Sequence, residues 1–373
     1  MKKYIVGGIM VVLIIGAYVV VGKNNNSVGV EKETIKIATI LSETGFAAAF
    51  GENAKLGALL ATEEINNNGG IKGRKIELIS EDDQTDPKTA VGLYKKVTSV
   101  DGVDAVIGST FDFIVNPLFE EAKKGNAVVV TPTSPRIAGA IDTNKNSFTM
   151  LSDFSEIVHT LDGYLTKTPY QKMAVIHYTS AFGTEITKTI NAIGEKNGRE
   201  AVIEETYNEF GIGDWTPYIL KMKKDGVDLV FADMLGTDYL KFATQAKQLG
   251  LNAQLVTHMD VREGLKDTSS DLSVLENTVV LNWDVLGNDA VFNAKFTEKY
   301  GREADHFAAQ AYVAVYVLGN AIGKAETKED IPKVLESETF ATPLGSFSFT
   351  KDHTGETNVA IQVIRDGKLV SLQ

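Results

Sequence analysis

The 373-residue chain has no cysteine. That excludes disulfides, thiolate zinc sites, cysteine nucleophiles, iron–sulfur clusters and lipid attachment through an N-terminal cysteine. Histidine is scarce: His159, His177, His258, His306 and His353 are the whole supply, and no pair has the i, i+4 spacing of a helical metal site. Positive charge is short as well. Lys and Arg number 37 against 49 Asp and Glu, a formal net charge of −12, which argues against a nucleic-acid partner. The chain contains no Gly-x-Ser-x-Gly elbow, no Gly-x-x-x-x-Gly-Lys phosphate loop and no His-Glu-x-x-His. Neither an enzyme nor a metal or other cofactor is expected.

One long apolar run is present. Lys2 and Lys3 precede Tyr4 to Gly22, which carry no charge; roughly 18 to 20 such residues span a bilayer as a helix. No clear small-x-small cleavage site follows, so residues 1–22 read as an uncleaved signal anchor in preference to a cleaved signal. The two lysines would keep the N-terminus cytoplasmic and put the remainder outside. Residues 23–34, rich in Asn, Gly and charge, read as a flexible linker.

From Ile35 short β-like runs alternate with helical periodicity. Ile35–Leu41, Arg74–Ser80, Asp104–Gly108 and Ala127–Thr131 read as strands, with helices over 53–67, from Asp86–Pro87 onward, and from Asn116–Pro117 as cap and first turn. A second series follows Met150, with strands at 172–178, 201–207, 228–232 and 254–257. Such alternation implies right-handed crossovers and mostly parallel sheets, and two series imply two doubly wound lobes. Ligands of open α/β sheets bind beyond the carboxyl ends of strands. The candidate loops are therefore 42–50, 108–113, 131–135, 177–182, 233–237 and 257–260. They hold hydroxyls, aromatic rings and a few carboxylates, a set suited to a small polar organic ligand. His177 reads as a satisfied structural histidine and Trp215 as packing at a helix start.

The order of Ile37-Ala-Thr-Ile-Leu-Ser-Glu-Thr-Gly-Phe, Phe50-Gly, Gly57, Glu64-Ile-Asn and Gly69-Gly-Ile-Lys-Gly resembles the leucine/isoleucine/valine-binding protein family. These are type I periplasmic binding proteins of ABC importers. Asp82-Asp83, Asp86-Pro87, Val106-Ile-Gly, Thr131-Pro132, Phe182-Gly183 and Gln245-Ala246 continue the agreement, which weakens after Thr278. The resemblance implies the type I periplasmic-binding-protein fold, with a hinge of three crossings near 149–152, 280–283 and 341–346. One lobe would comprise 35–149 plus 283–343 and the other 150–282 plus 344–373.

The resemblance also implies a ligand carboxylate held by a serine and a threonine loop, and an amine held by a tyrosine and an acid. Ser134 or Thr133 fits the threonine loop, and Asp260 lies near the place of the acid. Phe50 and Phe182 stand where tyrosines are frequent, and so does Leu235. Asp112 occupies the place of the serine, where it would repel an α-carboxylate. The ligand-binding set is thus Phe50, Asp112, Thr133, Ser134, Phe182, Leu235 and Asp260. The implied function is an extracytoplasmic solute-binding protein, a monomer held at the cytoplasmic membrane. It would capture an amino-acid-like or amide metabolite and deliver it to an ABC permease. The alternative is an extracellular sensing module acting through a separate membrane partner.

Overall fold

The structure is a computed structural model, and it describes residues 33–372 except 126, 262–271 and 285–289. The expected anchor over 1–22 and most of the linker lie outside the described residues. Among the described residues no helix is long and apolar enough to cross a membrane.

The chain opens with β1 (Ile35–Leu41), α1 (Ala48–Asn67), β2 (Ile76–Asp82), α2 (Pro87–Lys96), β3 (Ala105–Gly108), α3 (Asp112–Ala122), β4 (Val128–Thr131) and β5 (Ser147–Thr149). These strands form one parallel sheet in the order β2-β1-β3-β4-β5. Every residue of β3 and β4 is buried. Helices cover both faces of such a sheet, so its inner strands read as unbroken apolar runs such as Val128-Val-Val. Asp86 caps α2 by accepting from the Thr89 N–H at 2.6 Å, with Pro87 in the first turn, as the sequence pattern requires. At the end of α1 the chain turns through Gly69 and Gly70 at φ +91° and +75°.

The second series runs α4 (Phe154–Lys167), β6 (Met173–Tyr178), α5 (Ala181–Lys196), β7 (Ile203–Tyr207), α6 (Thr216–Asp225), β8 (Leu229–Asp233), α7 (Gly236–Gln248), β9 (Gln254–Thr257) and β10 (Val279–Asp284). Then follow α8 (Ala290–Tyr300), α9 (His306–Lys324), α10 (Ile331–Ser337), β11 (Phe340–Thr342), β12 (Gly345–Phe347), β13 (Asn358–Arg365) and β14 (Lys368–Ser371). The second sheet has the order β14-β13-β10-β9-β8-β6-β7. It is parallel except for β13 and β14, which pair antiparallel at one edge.

After β10 the chain returns to the first sheet. The buried face of α9 joins the core made by β1, β3 and α1, and α1 meets α9 so closely that a Cβ on Gly57 would lie 1.9 Å from the Ala308 carbonyl oxygen. The β11–β12 hairpin stays with the same core, because Phe340, Phe347 and Phe349 bury their rings there. The final passage to the second sheet therefore comes after Phe349, where Thr354 and Gly355 bridge to Thr149 and Phe349. The family resemblance implied a crossing near 341–346.

A further difference concerns α3. The sequence sets the helix start at Asn116–Pro117, yet the helix begins at Asp112 and Pro117 lies inside it. Proline there forfeits one intrahelical N–H bond. Burial of Ile114 and Val115 ahead of it, on the same stripe as Leu118, Phe119 and Ala122, outweighs that loss at roughly 1.5–3 kcal/mol per fully buried side chain.

Candidate functional site

In both sheets the strand order reverses beside the first strand of the series, between β1 and β3 and again between β6 and β8. A doubly wound sheet leaves a crevice at that point, beyond the carboxyl ends of its strands. The two crevices face one another and enclose about 770 Å³ of space, counting the open mouth.

On the first-sheet side the loops are held by a buried acid. Asp83 accepts from Ser42 Oγ at 2.7 Å, from Ser109 Oγ and from the Thr85 N–H at 2.8 Å, which ties together the ends of β1, β2 and β3. Burial pushes its carboxyl up, although the three donors pull the other way. Thr131 Oγ1 donates to the Ser109 carbonyl at 2.8 Å and Thr133 Oγ1 to the Thr110 carbonyl at 3.1 Å, so the loop after β4 braces the loop after β3. This leaves Thr110 Oγ1 and Ser134 Oγ buried without a hydrogen-bond partner among the described residues, and both residues line the cavity. Buried hydroxyls are rarely left so unless something else binds them.

Asp112 also lines the cavity, but its carboxylate reaches across it. Oδ1 accepts from the N–H of Phe113 at 2.8 Å, and Oδ2 from the N–H of Phe182, at the start of α5 on the opposite side, at 3.1 Å. The helix N-terminus favours the negative charge, while burial pushes the carboxyl up.

The second-sheet side contributes Tyr178, Ser180, Phe182, Tyr207, Phe210, Asp233, Leu235, His258 and Trp283. Asp233 ends β8. His258 Nδ1 lies 3.5 Å from Asp233 Oδ1 and makes no hydrogen bond with the described residues. Burial, with Asp112 nearby, pushes the Asp233 carboxyl up to about 8. Burial, with His306 nearby, pushes the His258 imidazole down to about 3. Both shifts favour the neutral form, so the contact has little ion-pair character. Across the mouth Phe46 stacks on Phe210 with ring centroids 3.8 Å apart, and Phe210 stacks in turn on Tyr178 at 4.2 Å.

Of the residues singled out from the sequence, Asp112, Thr133, Ser134, Phe182 and Leu235 come together on the cavity wall. Phe50 and Asp260 do not line it. Phe50 is 3% exposed and packs behind the wall against Phe111 and Phe307, at 5.7 and 4.9 Å between ring centroids. Asp260 is buried beyond the lining. The sequence reading singled out neither Asp233 nor Thr110, although both lie in loops it named. Tyr207, Phe210, Trp283, His306 and Phe307 also reach the cavity. They come from elements whose place at the site is fixed by topology, so no local sequence signal marks them.

The family profile described as "Periplasmic binding protein" matches residues 34–368. A leucine-, isoleucine-, valine-, threonine- and alanine-binding protein of Pseudomonas aeruginosa is 29% identical over 335 residues, covering 85% of this chain and 86% of the relative. The Leu/Ile/Val-binding protein of Escherichia coli K12 is 24% identical over 328 residues, covering 85% and 87%. Among solved structures, the branched-chain amino acid transporter substrate-binding protein LivJ of Streptococcus pneumoniae, in complex with isoleucine, has a TM-score of 0.78 at 23% identity, covering 91% and 98%. A solute-binding protein of an ABC transporter from R. palustris, in complex with benzoate, has a TM-score of 0.79 at 20% identity, covering 91% and 95%.

Proposed function

The chain belongs to the periplasmic binding protein family, and from that premise we propose that it captures a small polar organic solute between two lobes and hands it to an ABC permease. The family is one of extracytoplasmic solute-binding proteins and not of enzymes. The reading rests above all on the cleft: strand ends of both sheets converge on one cavity, with the unpartnered Thr110 and Ser134 hydroxyls on one wall and the Asp233 carboxyl on the other. Such a wall pair suits a ligand carrying an acceptor at one end and a donor at the other, as an amino acid or amide does.

In this proposal residues 35–149 plus 283–349 and 150–282 plus 350–373 are the two halves of the clamp, the last boundary following the packing of Phe347 and Phe349, and they close on the solute about their connecting segments. Asp112, Thr133, Ser134, Phe182 and Leu235 contact it. The apolar run from Tyr4 to Gly22 supports a tether to the cytoplasmic membrane.

A thermal-shift screen of the chain against amino acids, amides, polyamines and aromatic acids tests the reading. A ligand binding only the folded state raises stability by roughly 2.7 kcal/mol at a hundredfold excess over Kd. Turnover of any candidate solute, or no shift across all four classes, would overturn it.

A further inference from the structure

One titratable side chain outside the cleft stands where the two sheets are joined. The chain leaves the first sheet after Thr149, at the end of β5, and makes its last passage to the second after Phe349. The two passages run side by side. The Gly355 N–H donates to the Thr149 carbonyl at 2.8 Å and to the Leu151 carbonyl at 3.0 Å, and the Ser152 N–H donates to Thr357 Oγ1 at 2.8 Å. A Cβ on Gly355 would lie 2.0 Å from the Met150 carbonyl oxygen, so the close approach depends on glycine.

His353 sits in the turn that opens the last passage, at φ +59°, a left-handed conformation that histidine adopts more often than most residues. Its ring lies flat on Phe148 of β5, with centroids 4.0 Å apart, and its side chain is 12% exposed. Nδ1 is 2.8 Å from the Asn144 carbonyl oxygen and 3.2 Å from that of Ser147, and Nε2 is 2.9 Å from Glu336 Oε1 on α10. Carbonyl and carboxylate oxygens accept, so both ring nitrogens donate and the ring is an imidazolium. Its partners all belong with the first sheet: Ser147 and Phe148 lie in β5, Asn144 precedes it, and α10 packs on the same core through Ile331 and Leu335. The charged residues around the ring are Glu336 from α10, Lys145 from the segment before β5, and Lys351 and Asp352 in its own turn. Among the described residues Glu336 is the one of these that bonds to the ring. His177 also meets two acceptors, the Tyr178 carbonyl at 2.7 Å and Glu204 Oε1 at 2.9 Å, but it lies inside the second sheet and spans no passage.

A neutral ring has one N–H. With the proton on Nδ1, the Nε2 lone pair faces the Glu336 carboxylate; with the proton on Nε2, the Nδ1 lone pair faces two carbonyls. Either way one bond is exchanged for a repulsion. Resting on the clamp reading above, we infer that His353 is a proton-operated pin of the hinge. The doubly protonated ring fastens the last passage to the first half of the clamp. The contact set is complete on the acid side and loses one bond as pH rises through the range, about pH 5 to 8, in which an imidazole gives up its charge. The flexible part of the passage then extends back from Gly355 toward Thr350, and the two halves range over wider separations.

Hydrogen exchange on the full chain at about pH 5.5 and about pH 8.5, corrected for the intrinsic rate, tests the pin. Local opening of residues 149–152 and 350–355 rises roughly three- to tenfold at the higher pH, the worth of a charge-assisted hydrogen bond reduced by the exposure of Glu336. In Glu336→Gln the side-chain amide can accept from Nε2–H or donate to its lone pair, so the turn stays protected at both pH values and the response disappears. His353→Asn, which tolerates the backbone conformation, leaves the turn unprotected at both. Nitrogen-15 shifts of the ring, assigned by their absence in His353→Asn, show two protonated nitrogens at the lower pH and one at the higher.

Because the chain has no cysteine, Leu59→Cys and Leu220→Cys, at exposed positions on α1 and α6, carry spin labels at those two sites alone. Their distance distribution widens at the higher pH, and Glu336→Gln removes the part of that widening that comes from His353, apart from any effect of Asp233 and His258 in the cleft. A hydrogen-exchange response that survives Glu336→Gln, or a His353 ring with one proton at about pH 5.5, overturns the inference. So does a turn that loosens while Glu336→Gln leaves the label distances unaltered. Each of these leaves the solute-binding reading standing, since that reading is decided by the thermal-shift screen.

Discussion

Asp112 and Phe182 meet across the cleft: the carboxylate at the head of α3 accepts the backbone N–H of Phe182 in the first turn of α5 at 3.1 Å. A side chain from one sheet's helix layer thus caps a helix belonging to the other. The sequence suggested Asp112 as a ligand contact; the geometry gives it a protein partner that this reading does not contain. In the proposed clamp this bond, which joins the two sides directly, would favour closure even before a solute is present.

Asp112→Ala removes that bond and should shift the empty protein toward an open form by about 1.5–3 kcal/mol, the usual worth of a hydrogen bond to a charged group. Small-angle scattering of the unliganded variant should show a larger radius of gyration than the parent. An unchanged radius would mean that the contact caps α5 locally and does not govern closure.

The stability of the empty protein should depend on pH through Asp233 and His258. The Asp233 carboxyl is raised from 3.8 to about 8 on folding. Its contribution is complete below pH 3.8 and is lost as pH rises toward 8. His258 is lowered from 6.5 to about 3; its contribution is complete above pH 6.5 and is lost as pH falls toward 3. The two slopes oppose one another between roughly pH 4 and 6.5. Of the two, only the Asp233 slope remains above that, and through it stability should fall by about 1–2 kcal/mol between pH 6.5 and 8. Denaturant titrations at several pH values check this, and Asp233→Asn should flatten the fall.

Ligand binding should be visible in tryptophan fluorescence. Of the two tryptophans, Trp215 is wholly buried in the core of the second sheet. Trp283 lines the cavity and donates from Nε1 to Ser152 Oγ at 3.1 Å. A ligand-induced change in emission should therefore vanish in Trp283→Phe and persist in Trp215→Phe. Persistence in Trp283→Phe would place the ligand elsewhere.

Gly57→Ala should destabilise the protein without touching the cleft. Its added methyl would meet the Ala308 carbonyl oxygen at 1.9 Å, forcing apart the pair of helices that carries the core of the first sheet. Overpacking of this kind costs typically 1–3 kcal/mol. Thermal melts should show the loss, while ligand affinity of the folded fraction stays close to the parent's.

The sequence alone determined the α/β alternation, the parallel character of the sheets and the loops that would bear the site. Each of these rests on local patterning: four-residue apolar runs for strands buried on both faces, Asp86–Pro87 for a helix start, Asn and Gly for a helix end. Ser134, Phe182 and Leu235 lie in loops that the same rule marked at strand carboxyl ends, and the family resemblance singled them out within those loops. Tertiary structure alone decided which side chains meet. Asp112 reaches Phe182 over 70 residues of sequence, and Pro117 is carried inside α3 because Ile114 and Val115 find a core to enter. Phe50 turns inward behind Phe111, while Asp233 is left facing the cavity without a donor. Such outcomes depend on packing between elements far apart in the chain, and the period of a single segment holds no record of them.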